Sequence, residues 1–180
     1  MRLLLSAAVS VAVSAVLAVG PSLTPPLDVA PIPAQTGDYC AVRVDPVGSD
    51  AAPAAPACFD TQDEVDAYLT GITAQNRSTL AATASVIIGT VYKDAGYSGG
   101  SYTFYGSGSC SGTTYGFPSL SSSWQNTISS AKAYASCWVT LYDAPSYGGQ
   151  RYNCTPNCSS LPSFNDRTKS LVFRPAGTIG

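Results

Sequence analysis

The chain contains no histidine, its one methionine is Met1, and its one glutamate is Glu64. Without imidazole, Ser–His and Cys–His nucleophile pairs are excluded within the chain, as are histidine metal sites. Aspartates can still supply acid–base chemistry, but the stock of titrating groups is thin, and the chain reads as a non-enzyme. Charged residues are also scarce, at 11%. Nine Lys and Arg stand against eleven Asp and Glu, for a net charge of −2. There is no basic footprint for nucleic acid. No Cys-x-x-Cys pair occurs, so a zinc site has neither of its usual ligand sets. After the N-terminal apolar run, no second segment is long enough to span a bilayer.

What is present points to export. Arg2 precedes an apolar run from Leu3 to Val19, then small residues and a Pro-rich stretch. That is the layout of a secretory signal, with cleavage near Ala18 or near Ala34. An uncleaved membrane anchor is the competing reading. Residues 1–34 are assigned as signal and spacer. The mature chain is expected to be secreted, monomeric and off the membrane once the signal is cleaved. Six cysteines agree with an oxidising compartment and imply three disulfides, although six allow 15 connectivities. Pairing Cys40 with Cys58 would close the loop between them. Cys154 and Cys158 bracket a Thr-Pro-Asn turn, which leaves Cys110 for Cys137.

Residues 35–84 form a small N-terminal extension. Tyr39 to Val44 alternates like a short strand, a Pro/Ala-rich loop comes next, and Cys58 and Phe59 resume order. Thr61-Gln-Asp-Glu64 fits a capping box, in which the threonine hydroxyl and glutamate carboxylate each accept the other's backbone N–H. Val65, Leu69 and Ile72 recur at helical spacing, and Gly71 is read as the stop, with 73–84 as linker. The piece is too small for its own core and must lean on the domain C-terminal to it.

From Ser85 onward, short β-branched and aromatic runs alternate with Gly, Ser and Asn turns, and the reading is all-β. Strands are expected at 85–92, 101–105, 128–134, 138–142 and 170–173, with Trp124 and Trp138 in the core. Asp94 and Asp143, near the two hairpins of this region, read as solvated turn residues. Within the region the sequence repeats. Tyr92-x4-Tyr97-x-Gly99 matches Tyr142-x4-Tyr147-x-Gly149, and each adds a Tyr three positions on, at Tyr102 and Tyr152. Trp124-Gln-Asn-Thr-Ile-Ser-Ser130 answers Phe164-Asn-Asp-Arg-Thr-Lys-Ser170. The first pair is 50 residues apart and the second 40, so the first copy carries ten extra residues within the Gly/Ser-rich 106–123 segment. A flexible loop insertion there is cheap. In each copy a strand ends at the first aromatic and the chain folds back as a hairpin. The second aromatic covers the fold, and the glycine supplies a positive φ. One such unit cannot bury its apolar face, but two packed together can.

These paired segments resemble the βγ-crystallin Greek-key signature, (Tyr/Phe/Trp)-x4-(Tyr/Phe)-x-Gly. The two six-residue stretches resemble that family's calcium motif, (Asn/Asp)-(Asn/Asp)-x-x-(Ser/Thr)-Ser. The resemblance covers about 85–174. It implies a βγ-crystallin-type Greek-key sandwich over 85–180, with the hairpin-plus-helix extension ahead of it. It also implies calcium, because in the family the second-position residue of one motif meets the fifth-position hydroxyl of the other at one ion, helped by a backbone carbonyl. Carried over by position, one site combines Asp166 with Ser129 and the carbonyl of Thr127 or Arg167. The other combines Asn126 with Lys169, where an ammonium replaces the hydroxyl, and it is expected to be degenerate. Gln125 departs from the motif's first position. An alternative class is a secreted inhibitor of an extracellular proteinase, acting through a loop in 106–123. The small exported bacterial inhibitors that resemble this fold share the Asn165-Asp166-Arg167 stretch.

Overall fold

A computed structural model describes residues 37–78 and 85–180. The expected signal and spacer lie outside the described residues. The ten strands are β1 (Tyr39–Arg43), β2 (Ala57–Phe59), β3 (Val86–Asp94), β4 (Ser98–Gly106), β5 (Tyr115–Phe117), β6 (Ser130–Ala133), β7 (Cys137–Tyr142), β8 (Arg151–Cys154), β9 (Asn157–Cys158) and β10 (Ser170–Pro175). One helix, α1 (Gln62–Ser78), lies between β2 and β3.

The strands form a six-stranded sheet, ordered β2-β1-β4-β3-β6-β9, and a four-stranded sheet, ordered β5-β10-β7-β8. Strands β3–β6 make one Greek-key unit and β7–β10 the other. The third strand of each unit leaves its own sheet for the partner's. Thus β5 pairs β10, with Leu171 opposite Phe117, and β9 pairs β6, with Ala131 opposite Cys158. The expected face-to-face packing is therefore an interlock, in which each sheet contains strands from both copies.

The core lies between the sheets and is built by alternation. Along β7, Val139 and Leu141 are buried at alternate positions, and along β3 a register shift between Ile87 and Gly89 lets Ile88 share the core with Val91. Aromatic rings fill the centre. Tyr102 stacks on Phe104 at 4.9 Å and meets the edge of Trp124 at 5.1 Å, and Phe104 reaches Phe173 at 5.3 Å. Such offset and edge contacts add to the area these rings bury. Trp138 departs from expectation. On β7 it sits out of phase with Val139 and Leu141, so it faces outward and is only partly buried.

The segment 106–123, read from composition as a flexible insertion, is anchored instead. Tyr115 and Phe117 are buried strand residues, Leu120 is buried, and Cys110 has no exposed surface. The Cys110 N–H donates to the Ala135 carbonyl at 3.0 Å, and the Leu120 N–H donates to Lys169 at 2.9 Å. Apolar side chains spaced through a Gly/Ser background hold the segment down. Composition alone hides them.

The extension joins the larger sheet. Strand β1 runs parallel to β4, with Cys40 opposite Tyr102, and pairs antiparallel with β2, with Cys40 opposite Cys58. Helix α1 lies on the outer face of that sheet, where Val65 and Leu69 pack with Ala41 and Tyr105. The capping box forms as read. The Thr61 hydroxyl accepts the Glu64 N–H at 3.3 Å, and Glu64 accepts the Thr61 N–H at 3.0 Å. The helix does not stop at Gly71 but continues to Ser78. A mid-helix glycine costs only about 1 kcal/mol relative to alanine, and Ile72 packing beyond it favours continuation. The expected linker thus begins as helix, and 79–84 lie outside the described residues. The three disulfides are Cys40–Cys58, Cys110–Cys137 and Cys154–Cys158. These are the pairings the spacing suggested. No helix among the described residues is long and apolar enough to cross a membrane.

Candidate functional site: two crossed turns

The repeat places two loops side by side, 124–130 and 164–170. Each starts on a buried aromatic, Trp124 or Phe164, and dips again at Ile128 or Thr168, both without exposed surface. Between these anchors the chain must turn, and Asn126 and Asp166 do so with φ of 60° and 54°. Asn and Asp tolerate this left-handed region better than other side chains. The loops then bond across each other. The Asn126 N–H donates to the Thr168 carbonyl, and the Asp166 N–H to the Ile128 carbonyl, both at 3.0 Å.

Each loop is also tied to the hairpin of its own unit. The Ser129 N–H donates to the Tyr92 carbonyl at 2.9 Å, and the Lys169 N–H to Tyr142 at 2.7 Å. The fully buried Ser130 hydroxyl donates to the Asp94 carbonyl at 2.6 Å and accepts the Tyr97 N–H at 3.1 Å. Ser170 repeats this with Ala144 at 2.7 Å and Tyr147 at 3.0 Å. The motif's last serine is therefore a clamp on the folded hairpin. The aromatics it holds, Tyr97 and Tyr147, themselves have φ of 65° and 63°. In both hairpins the glycine two positions on, Gly99 or Gly149, has a φ near 75°, and a Cβ there would run into the Asp94 or Asp143 carboxylate.

The side chains singled out from the sequence divide into two groups. Ser129 and Asp166 come together, with the Ser129 hydroxyl donating to Asp166 Oδ1 at 3.3 Å across the crossing. The other oxygen, Oδ2, accepts the Asn165 amide at 2.6 Å. Asn126 occupies the matching exposed place on the partner loop. The Thr127 hydroxyl turns back to the Trp124 carbonyl at 2.9 Å, so only its backbone could face a ligand. Gln125 closes its own loop by donating to the Leu120 carbonyl at 2.8 Å. Arg167 points its guanidinium away, to Asp143 at 2.6 Å, Gln150 at 2.8 Å and the Ser163 carbonyl at 3.1 Å.

Asp143 is more than the solvated turn residue its sequence context suggests, because it braces this site. Desolvation pushes its carboxyl up, but the Gln150 backbone N–H, the Arg167 guanidinium and the Lys169 ammonium outweigh it and hold the group below the usual carboxylate range. Among the described residues no hydrogen bond or ion pair joins Lys169 to Asn126; the ammonium acts on Asp143. No cluster of three or more His, Cys, Asp or Glu exists among the described residues. A cation held here would have one carboxylate, with hydroxyl, amide and carbonyl oxygens for the rest. The donor set fits a hard cation. Ser129 Oγ and Asp166 Oδ1 are 3.3 Å apart, a spacing that two oxygens each ~2.4 Å from a shared calcium can adopt.

No family model matches the chain, and no curated protein matches it. Among solved structures it is similar to the N-terminal domain of protein S, at 18% identity over 49% of this chain and 96% of that one, with a TM-score of 0.40. It is also similar to a βγ-crystallin domain from Flavobacterium johnsoniae, at 27% identity over 51% and 99%, TM-score 0.39. A βγ-crystallin domain from Clostridium beijerinckii gives 19% identity over 48% and 97%, TM-score 0.39. The strand order, the exchanged third strands and the doubled hairpin with its serine clamp arrange strands β3–β10 of this chain as a βγ-crystallin-like, all-β Greek-key sandwich.

Proposed function

We propose that the chain is an exported, non-enzymatic βγ-crystallin-like domain that binds one calcium ion where the two loops cross, in a structural or protective role. The observation that carries this reading is the meeting of Ser129 and Asp166, one from each repeat. Asp166 supplies the charge and Ser129 the hydroxyl, with the backbone carbonyl of Thr127 or Arg167 beside them. The opposite position, Asn126 with Lys169, has neither a carboxylate nor the motif's fifth-position hydroxyl, so it stays empty. A site with one carboxylate belongs at the weak end of calcium affinities, ~0.1–1 mM, where extracellular modules lie. The paired cysteines support export to a compartment where calcium reaches such levels.

The test is thermal unfolding in about 10 mM calcium against chelator. At ~10–100 times Kd, the ion stabilises the fold by ~1.4–2.7 kcal/mol, a rise of several degrees in Tm for a domain of this size. Asp166→Ala abolishes the rise, and Asn126→Ala leaves it in place. Equal melting of the native chain in calcium and chelator sinks the proposal. The inhibitor reading is not favoured. It needs a protruding loop, and 106–123 is tied down by β5, by Leu120 and by the Cys110–Cys137 bridge.

A further inference from the structure

A groove of about 540 Å³ runs between α1 and the outer face of the larger sheet, on the side where the first hairpin folds back. Its size is within the ~300–1,000 Å³ of small-molecule sites. We infer that it is a binding site for a neutral saccharide, separate from the crossed turns and independent of calcium.

The floor is polar and buried. Thr90 and Thr103, at 6% and 2% exposure, face each other with their hydroxyls 3.2 Å apart. A solvent-facing sheet surface has no need of buried hydroxyls, and β-branched apolar residues would fill these positions at less desolvation cost. The polarity continues up both walls. Thr90 and Tyr134 both hydrogen-bond the Tyr92 side chain; burial and the Tyr134 phenol raise the Tyr92 phenol above its ordinary range, against a smaller lowering by Thr90. On the helix side, the Ser101 hydroxyl donates to Gln62, whose amide donates to Asp66 at 3.0 Å.

Aromatic faces complete the groove. Tyr39, Tyr92, Tyr97 and Tyr134 line it, and Tyr134 remains 39% exposed, unusual for so large a ring in this chain. The negative faces of such rings attract the polarised C–H groups of a pyranose, while hydroxyls, an amide and one carboxylate meet its O–H groups. Charge decides among ligands. Asp66 is the only ionised group among the described residues lining the groove, so an anionic ligand would meet a carboxylate and no lining cation. The Lys132 ammonium is engaged over the Tyr97 ring, 4.2 Å from its centroid, and Lys93 pairs with Asp38. The walls come from two parts of the chain. Helix α1 and Tyr39 belong to the extension, and the rest to the first Greek-key unit, so the extension gives the sandwich a site that two bare motifs lack.

The test is saturation-transfer NMR and isothermal titration of the full exported chain, in chelator, against maltose, cellobiose, xylobiose, chitobiose and a sulfated disaccharide. At least one neutral disaccharide binds, and the sulfated one does not. Tyr134→Ala weakens that binding roughly three- to ten-fold, the worth of one stacked ring, while Tyr134→Phe keeps it. Asp66→Ala, on the exposed face of the helix, weakens it as well. Tm measured for each variant separates lost binding from lost folding. Absence of binding by every neutral sugar at millimolar concentration overturns the inference, as does binding that Tyr134→Ala leaves unchanged. A chain that takes only the sulfated sugar overturns it too.

Discussion

At Asp166 a single residue answers two demands. Its backbone needs φ near 54°, which Asp accepts, and its carboxylate is the only one at the loop crossing among the described residues. The turn requirement is met equally by Asn126. The difference between the two positions is therefore charge, and that is why only one ion is expected. Asp143 gives a second residue-scale prediction. Its carboxyl is held low in the folded state, so the unfolded chain binds the proton more readily. The contribution is complete above the unfolded value, roughly 3.9, and is lost as pH falls through the lower folded value. Asp143→Asn should thus lower Tm at pH 7, with the gap to the native chain narrowing below about pH 4. A gap that stays constant down to pH 2.5 would show that the Arg167 pairing adds nothing electrostatic. The sequence carried Ser129 and Asp166 because each lies in a repeated seven-residue stretch that opens on an aromatic, Trp124 or Phe164, and closes on a serine. It did not carry the Asp143–Arg167 pair. Those residues are 24 apart with no periodicity between them, and only the fold brings their loops together.

Secondary-structure elements were legible in proportion to their apolar content. Strands β3, β4, β7 and β10 alternate or run apolar and were all expected. Strands β8 and β9 are short and polar on an edge, and they exist because β7 and β6 offer them a ladder. Strand β5 was hidden inside a Gly/Ser-rich stretch. Its three residues gain nothing until β10 is beside them. The parallel pairing of β1 with β4 has no local signal at all, since it joins segments separated by a helix. Helix α1 was visible through its capping box, and its true end was not, because packing overrode glycine. The cap yields its own prediction. Thr61→Ala removes the acceptor for the Glu64 N–H and should cost about 1 kcal/mol, measured by urea unfolding. Loss of well under 0.5 kcal/mol would mean the first turn is held by Gln62 and Val65 packing instead.

Over the whole molecule, exchange of β5 and β9 makes the two repeats interdependent. Neither unit can open without removing a strand from the other's sheet, so unfolding should be a single transition. Trp124 in the first repeat and Trp138 in the second report on each unit separately. Fluorescence of Trp124→Phe and Trp138→Phe variants should each share one midpoint with the far-ultraviolet circular dichroism of the same variant, and split midpoints would show that the repeats unfold independently. The same pairing of repeats creates the proposed cation site, because Asp166 comes from one and Ser129 from the other. The most direct measurement is a calcium-soaked crystal structure with anomalous scattering, supported by equilibrium dialysis for stoichiometry. The account predicts one ion per chain, bonded to Asp166 and Ser129, with the Asn126–Lys169 side empty. An ion at Asn126–Lys169, or none at Asp166 in about 10 mM calcium, would contradict it.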